Sequence, residues 1–141
     1  MKLRRINDEV FVASGPIVRL GSEDVDFLKR QAGLNARGRA RICAHGDNED
    51  AIHEMVIAIS SSSYIRPHRH IGKSESFHIV DGSVDVVMFD NDGGITDRIV
   101  LRLDLFFRRR QCLFLHLLAL PILFVQDFSQ TARFDIVCCH K

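Results

Sequence analysis

The sequence predicts a mainly β domain, a sandwich or barrel of short strands with one helix near its start. Three observations carry that reading. Apolar runs recur at roughly ten-residue spacing between Glu54 and Leu103, divided by turns rich in Gly and Asp. Ser22 to Ala32 carries helical rather than alternating periodicity. And 141 residues, 46% of them hydrophobic, are enough for one domain with its own core.

Taken in order, residues 1–21 read as an irregular or edge-strand lead-in, with Val10-Phe11-Val12 and Ile17-Val18 broken by Gly15-Pro16. Ser22 is the expected N-cap of the helix, with Glu23 and Asp24 in a first turn where the macrodipole favours acids. Val25, Leu28 and Ala32 share its apolar face, and Gly33 is the expected stop. Arg37-Gly38-Arg39-Ala40-Arg41 is a basic cluster, read as a solvated loop or strand edge before a phosphate grip. Ile42-Cys43-Ala44-His45 and a polar turn, Gly46 to Asp50, follow. Strands are expected at Met55–Ile59, Phe77–Val80, Val84–Phe89 and Ile99–Leu103.

Charge narrows the function. Nineteen Lys and Arg against eighteen Asp and Glu give a formal net charge of +1. A dedicated nucleic-acid binder shows a strong basic excess, so nucleic acid is not an expected partner. No apolar run of the roughly 7–15 residues a secretory signal needs follows the positive N-terminus, so none is read there, and a cytoplasmic protein is expected. Cys43, Cys112, Cys138 and Cys139 show no metal-finger spacing and read as reduced thiols, the last two in a frayed end. Gln111 to Gln126 has no formal charge and follows three arginines, but it holds His116 and Pro121 and is short for a span. A membrane anchor is therefore the lesser reading.

The chemistry lies in Tyr64-Ile65-Arg66-Pro67-His68-Arg69-His70-Ile71-Gly72-Lys73-Ser74-Glu75. On an extended strand residues i and i+2 project to one face, so His68 and His70 can offer two imidazoles to one ion. Pro67 favours extended backbone before them. A four-residue turn lets Glu75 return on the next strand with a carboxylate. Two His and one carboxylate leave positions open for water or substrate, a set that suits a divalent transition metal such as Fe, Mn, Ni or Zn. Arg66 has the parity of the two His and is a candidate substrate-binding residue for an anion. His45 is a candidate catalytic acid/base or substrate contact, and reads equally as a hydrogen-bonded structural His; Tyr64 is a candidate catalytic phenol or a residue packed at the rim, while His53 and His78 read as ordinary strand residues.

His68-x-His70-x4-Glu75-x6-Gly82 resembles the first cupin motif, with Ser62 where that motif opens on Gly. Arg39-Ala40-Arg41, His45, Met55–Ile59, Ser63–His70 and Phe89-Asp90-Asn91-Asp92-Gly93 further resemble the WbuC-type cupin-fold metalloproteins, over about residues 20–103. The resemblance implies a double-stranded β-helix, or jelly roll, with a helical lead-in. It implies a metal inside the barrel held by His68, His70 and Glu75, and an association with bacterial surface-polysaccharide synthesis. A sugar or nucleotide-sugar intermediate is the implied small-molecule substrate. The resemblance is compatible with a homodimer, which nothing in the sequence fixes.

The last third departs from that pattern. All nine Gly lie at or before Gly94, where roughly three more would be expected among the 47 residues from Ile95 onward. Six of ten Phe fall between Phe106 and Phe134. The second cupin motif, with its PxG and fourth-ligand His, is absent. His116 is the one candidate to stand in as a metal ligand, against an incidental His in an apolar run. The chain is thus read as a lead-in over 1–36 with a helix at about 22–32, a barrel core over 37–103, and an atypical tail over 104–141 in place of the closing strands. Three readings stay open: a metal-dependent enzyme, a non-enzymatic ligand-binding cupin, and an inactive product with a frameshifted C-terminus.

Overall fold

The computed structural model describes residues 2–69, 75–104, 109–110, 112–115, 122–126 and 134–140. Among these, one helix and eleven strands form two sheets. The strands are β1 (Leu3–Arg5), β2 (Val10–Ala13), β3 (Arg39–Cys43), β4 (Glu54–Ser60), β5 (Glu75–Asp81), β6 (Ser83–Phe89), β7 (Ile95–Asp104), β8 (Arg109–Arg110), β9 (Cys112–Leu115), β10 (Ile122–Gln126) and β11 (Phe134–His140). The helix α1 spans Ser22–Leu34. The larger sheet runs β1-β2-β3-β4-β11-β5-β9 and the smaller β10-β6-β7-β8. Every pairing is antiparallel except β2 with β3.

Alternation explains how one sheet serves two cores. In β3, Ala40 and Ile42 face the helix while Cys43 turns to the space between the sheets. In β4, Ala58 faces the helix while Met55 and Ile59 face inward. In β5, Phe77 and Ile79 face inward and Val80 outward. The inner core joins Cys43, Met55, Ile59, Phe77 and Ile79 to Val84, Val86 and Leu101 of the smaller sheet. The outer core packs Leu28 and Ala32 of α1 on Phe11, Ala13, Ala40, Ile42 and Ala58. Small residues beneath the helix let it lie close. Each fully buried large side chain, Phe77, Leu28 or Ile79 among them, contributes about 1.5–3 kcal/mol by leaving water.

The helix boundaries differ from the expected ones for identifiable reasons. Gly21, not Ser22, is the N-cap. The Asp24 carboxylate reaches back 2.8 Å to accept the Gly21 N–H, so the acid in the first turn does the capping itself. Gly33 does not end the helix, which runs one residue further to Leu34. Asn35 then adopts extended backbone and donates its amide to Gln31 O at 3.1 Å and Arg39 O at 2.6 Å. A side chain that satisfies an orphan helix carbonyl makes a left-handed glycine unnecessary. Gly82 does use its freedom: at φ 85° it turns the chain from β5 into β6, where the motif placed a glycine.

Two expectations about flanking segments change. Arg39 to Arg41 lies in a strand, and Arg37 and Arg39 are held by Glu9 at 3.3 and 3.4 Å. The end of the chain is not frayed over 134–140. β11 pairs with β4 on one side and β5 on the other, setting Cys139 opposite both Met55 and Phe77. An edge pairing would have left half its backbone groups to water; a central one satisfies both sides. Residues 104–141 thus contribute β8 to β11, and all four of these strands extend or join the sheets.

Candidate functional site

The register of the larger sheet brings three sequence positions to one end of the barrel. Cys43 pairs with Met55, Met55 with Cys139, and Cys139 with Phe77, so these form one row across β3, β4, β11 and β5. Two residues further toward the same end stand His45 and His53, just outside β3 and β4, and Glu75, which opens β5 with the parity of the inward-facing Phe77. His53 and Glu75 are separated by two strand spacings, roughly 10 Å of backbone.

Glu75 opens β5 and is only 6% exposed. A carboxylate that deep is rarely left unpaired, and Glu75 has a partner. His68 is exposed and sits before β5, its Nδ1 2.9 Å from Arg66 O. A carbonyl can only accept, so in the neutral ring Nδ1 carries the proton. Metal-ligating histidines commonly show this arrangement. Arg66 itself is exposed, and Tyr64, at 74% exposure, stands in solvent. His70 and His116 lie outside the described residues. Among the described residues no three His, Cys, Asp or Glu side chains converge closely enough to hold an ion.

His45 is half-buried, and its Nδ1 lies 3.0 Å from Glu54 O. Its ring stacks on that of His53, with centroids 4.5 Å apart and planes 12° from parallel. His53 Nε2 in turn lies 3.1 Å from Asn48 O. His53 was not singled out from the sequence, though a signal was available. Once Cys43 pairs with Met55 and Ala44 N–H bonds Glu54 O, the next cross-strand pair is His45 with His53.

The loop between them is closed by Asp50. Its Oδ2 accepts the Gly46 N–H at 2.6 Å and the Asp47 N–H at 3.3 Å. These bonds, with smaller help from His45 and His53, hold the Asp50 carboxyl below its ordinary range. Cys43 behaves oppositely: burial pushes its thiol up, only partly offset by the Arg41 guanidinium. It is a core residue rather than a nucleophile.

No helix among the described residues is long and apolar enough to cross a membrane. The family described as a domain of unknown function, DUF6016, matches residues 20–101. No curated protein matches the chain. Among solved structures, protein SO0799 from Shewanella oneidensis is similar with a TM-score of 0.54 at 15% identity, over 82% of this chain and 74% of that one. The Fe(II) form of HppE is similar with a TM-score of 0.50 at 10% identity, over 92% of this chain and 62% of that one. These likenesses show a cupin-like, mainly β fold.

Proposed function

The chain belongs to the DUF6016 family, and on the cupin-like fold it carries we propose a metalloprotein that binds a divalent transition metal and acts on a small polar molecule. The observation that carries this is Glu75: a buried carboxylate on the inward parity of β5, at the end of the barrel. His68 fits the same role, since its Nδ1 sits on the Arg66 carbonyl, as in many metal-ligating histidines. His70, two residues on, would supply the third donor. A metal there would act as a Lewis acid toward a carbonyl or hydroxyl oxygen. Around it, the protein's own part is to exclude water with the Phe77 and Ile79 core, and to exchange a proton through His45. A cytoplasmic WbuC-type role on a sugar or nucleotide-sugar intermediate of surface-polysaccharide synthesis is the finer form of this reading. It is supported by the motif His68-x-His70-x4-Glu75-x6-Gly82.

Metal analysis of the full chain tests it. Wild-type protein reconstituted with Fe(II), Mn(II), Ni(II) or Zn(II) should retain close to one equivalent, and Glu75→Gln and His68→Ala should each lose most of it. Less than about one tenth of an equivalent in wild type, or equal retention by both variants, would overturn the proposal. A metal-loaded protein that binds a nucleotide sugar but forms no product by mass spectrometry would place it among ligand-binding cupins instead.

A further inference from the structure

The stacked pair His45 and His53 has a chemistry that neither residue has alone. Each ring spends one nitrogen on a backbone carbonyl, His45 Nδ1 on Glu54 O and His53 Nε2 on Asn48 O. A carbonyl oxygen accepts and never donates, so both nitrogens carry the proton when the rings are neutral. That leaves one lone pair on each ring, at His45 Nε2 and His53 Nδ1. The near-parallel stack holds the two ring planes together. The Asp50 carboxylate, fixed by the Gly46 and Asp47 N–H groups, stands close enough for the two imidazoles to favour its ionised form.

These are the parts of an oriented base: a proton acceptor, a carbonyl that fixes its tautomer and a ring that fixes its plane. His45 follows β3 and His53 precedes β4, at the end of the larger sheet where Glu75 opens β5.

We propose that His53 is a positioning residue for His45, its stacked ring holding the imidazole against Glu54 O so that the Nδ1–H tautomer is locked and Nε2 is the basic atom. The substrate class that such an atom serves is a small molecule bearing a hydroxyl or a carbonyl with an acidic neighbouring C–H. The proton passes from that substrate to His45 Nε2 and returns to product or solvent, leaving the protein unchanged over a cycle. This use of the pair rests on the metalloprotein reading above; the tautomer lock does not.

The test is ¹⁵N nuclear magnetic resonance of the imidazoles in the full chain at pH 8, metal-free and Zn(II)-loaded. Wild type should show His45 protonated at Nδ1 and His53 at Nε2 in both forms. His53→Phe keeps a stacking ring, and His45 should stay in the Nδ1–H form. His53→Ala and His53→Gln remove the ring, and His45 should relax to a mixture in which Nε2–H, the form an unconstrained imidazole prefers, is the major species. A wild-type His45 protonated at Nε2 overturns the proposal. So does a His45 tautomer that is unchanged in whichever ring-less variant folds. A merely structural His53 would lower stability without moving the tautomer. If no metal binds yet the lock is found, the metalloprotein reading fails alone.

Discussion

Arg98 donates to one oxygen of Asp85 through two nitrogens, Nε at 2.8 Å and Nη2, and Asp85 is 3% exposed. The pair joins β6 to β7. Asp85 alternates with Val84 and Val86, so it lies on the face of the smaller sheet opposite the inner core. Its carboxylate is out of water and depends on the guanidinium. Arg98→Ala should destabilise by about 1.5–3 kcal/mol, the range for a hydrogen bond to a charged group, and Arg98→Lys by less. Urea unfolding of the two variants measures this. An Arg98→Ala midpoint equal to wild type would show that Asp85 finds another partner.

The two cores predict near-additive losses. Phe77→Ala should cost about 3–5 kcal/mol and Leu28→Ala about 2–5 kcal/mol, because each empties a fully buried site. Phe77 lies between the sheets and Leu28 under the helix, without a shared neighbour in either cluster. Their effects should add to within about 0.5 kcal/mol where the double variant still folds. Ile52→Ala, at a 63% exposed position, should stay within about 0.5 kcal/mol of wild type. Calorimetry of the set separates one cooperative unit from two.

Acid should loosen the 46–50 loop through Asp50. Its folded carboxyl lies below the ordinary value because the Gly46 and Asp47 N–H groups favour the charged form. The stabilisation is therefore complete above the unfolded value, near about pH 4, and disappears as pH falls through the lower folded value. Asp50→Asn should flatten that part of the stability–pH curve. Hydrogen exchange of the Gly46 amide in wild type and variant reads it locally.

Alkali should act through Cys43 in the opposite sense. Its folded thiol holds the proton to higher pH than the unfolded one. Below about pH 8.5 both states are protonated and nothing changes; above it unfolding releases a proton and stability falls until the folded value is passed. Cys43→Ser should show less of this fall. Native Cys43 should also resist alkylation at neutral pH until the protein is unfolded.

Metal should raise the melting temperature of wild type and not of Glu75→Gln. With free metal at about a hundred times Kd the gain is about 2.7 kcal/mol. A chelator should reverse it. An equal rise in both proteins would place the binding elsewhere.

Much of this architecture was legible because it is local. Strands β4 to β7 followed from ten-residue spacing and Asp-Gly turns, and the alternation at Phe77 and Ile79 gave the inward parity of Glu75. The helix was legible from Val25, Leu28 and Ala32, but its ends were not, because Asp24 and Asn35 cap it through side chains reaching to neighbours. What escaped was non-local. β11 has no distinctive composition, and only its pairing with β4 and β5 reveals it as a central strand. His53 escaped because its importance is a cross-strand register, readable only once Cys43 is known to meet Met55.

The central placement of β11 also governs how the molecule is made. β4 and β5 are complete once Asp81 has left the ribosome, yet the strand that joins them starts at Phe134. At elongation rates of about 5–20 residues per second the 52 intervening residues take roughly 3–10 s to synthesise. For that interval two apolar strands each present an unmet edge, the template on which other chains aggregate. Yield in the cell should therefore depend on holdase chaperones and on temperature more steeply than the stability of the finished fold would suggest.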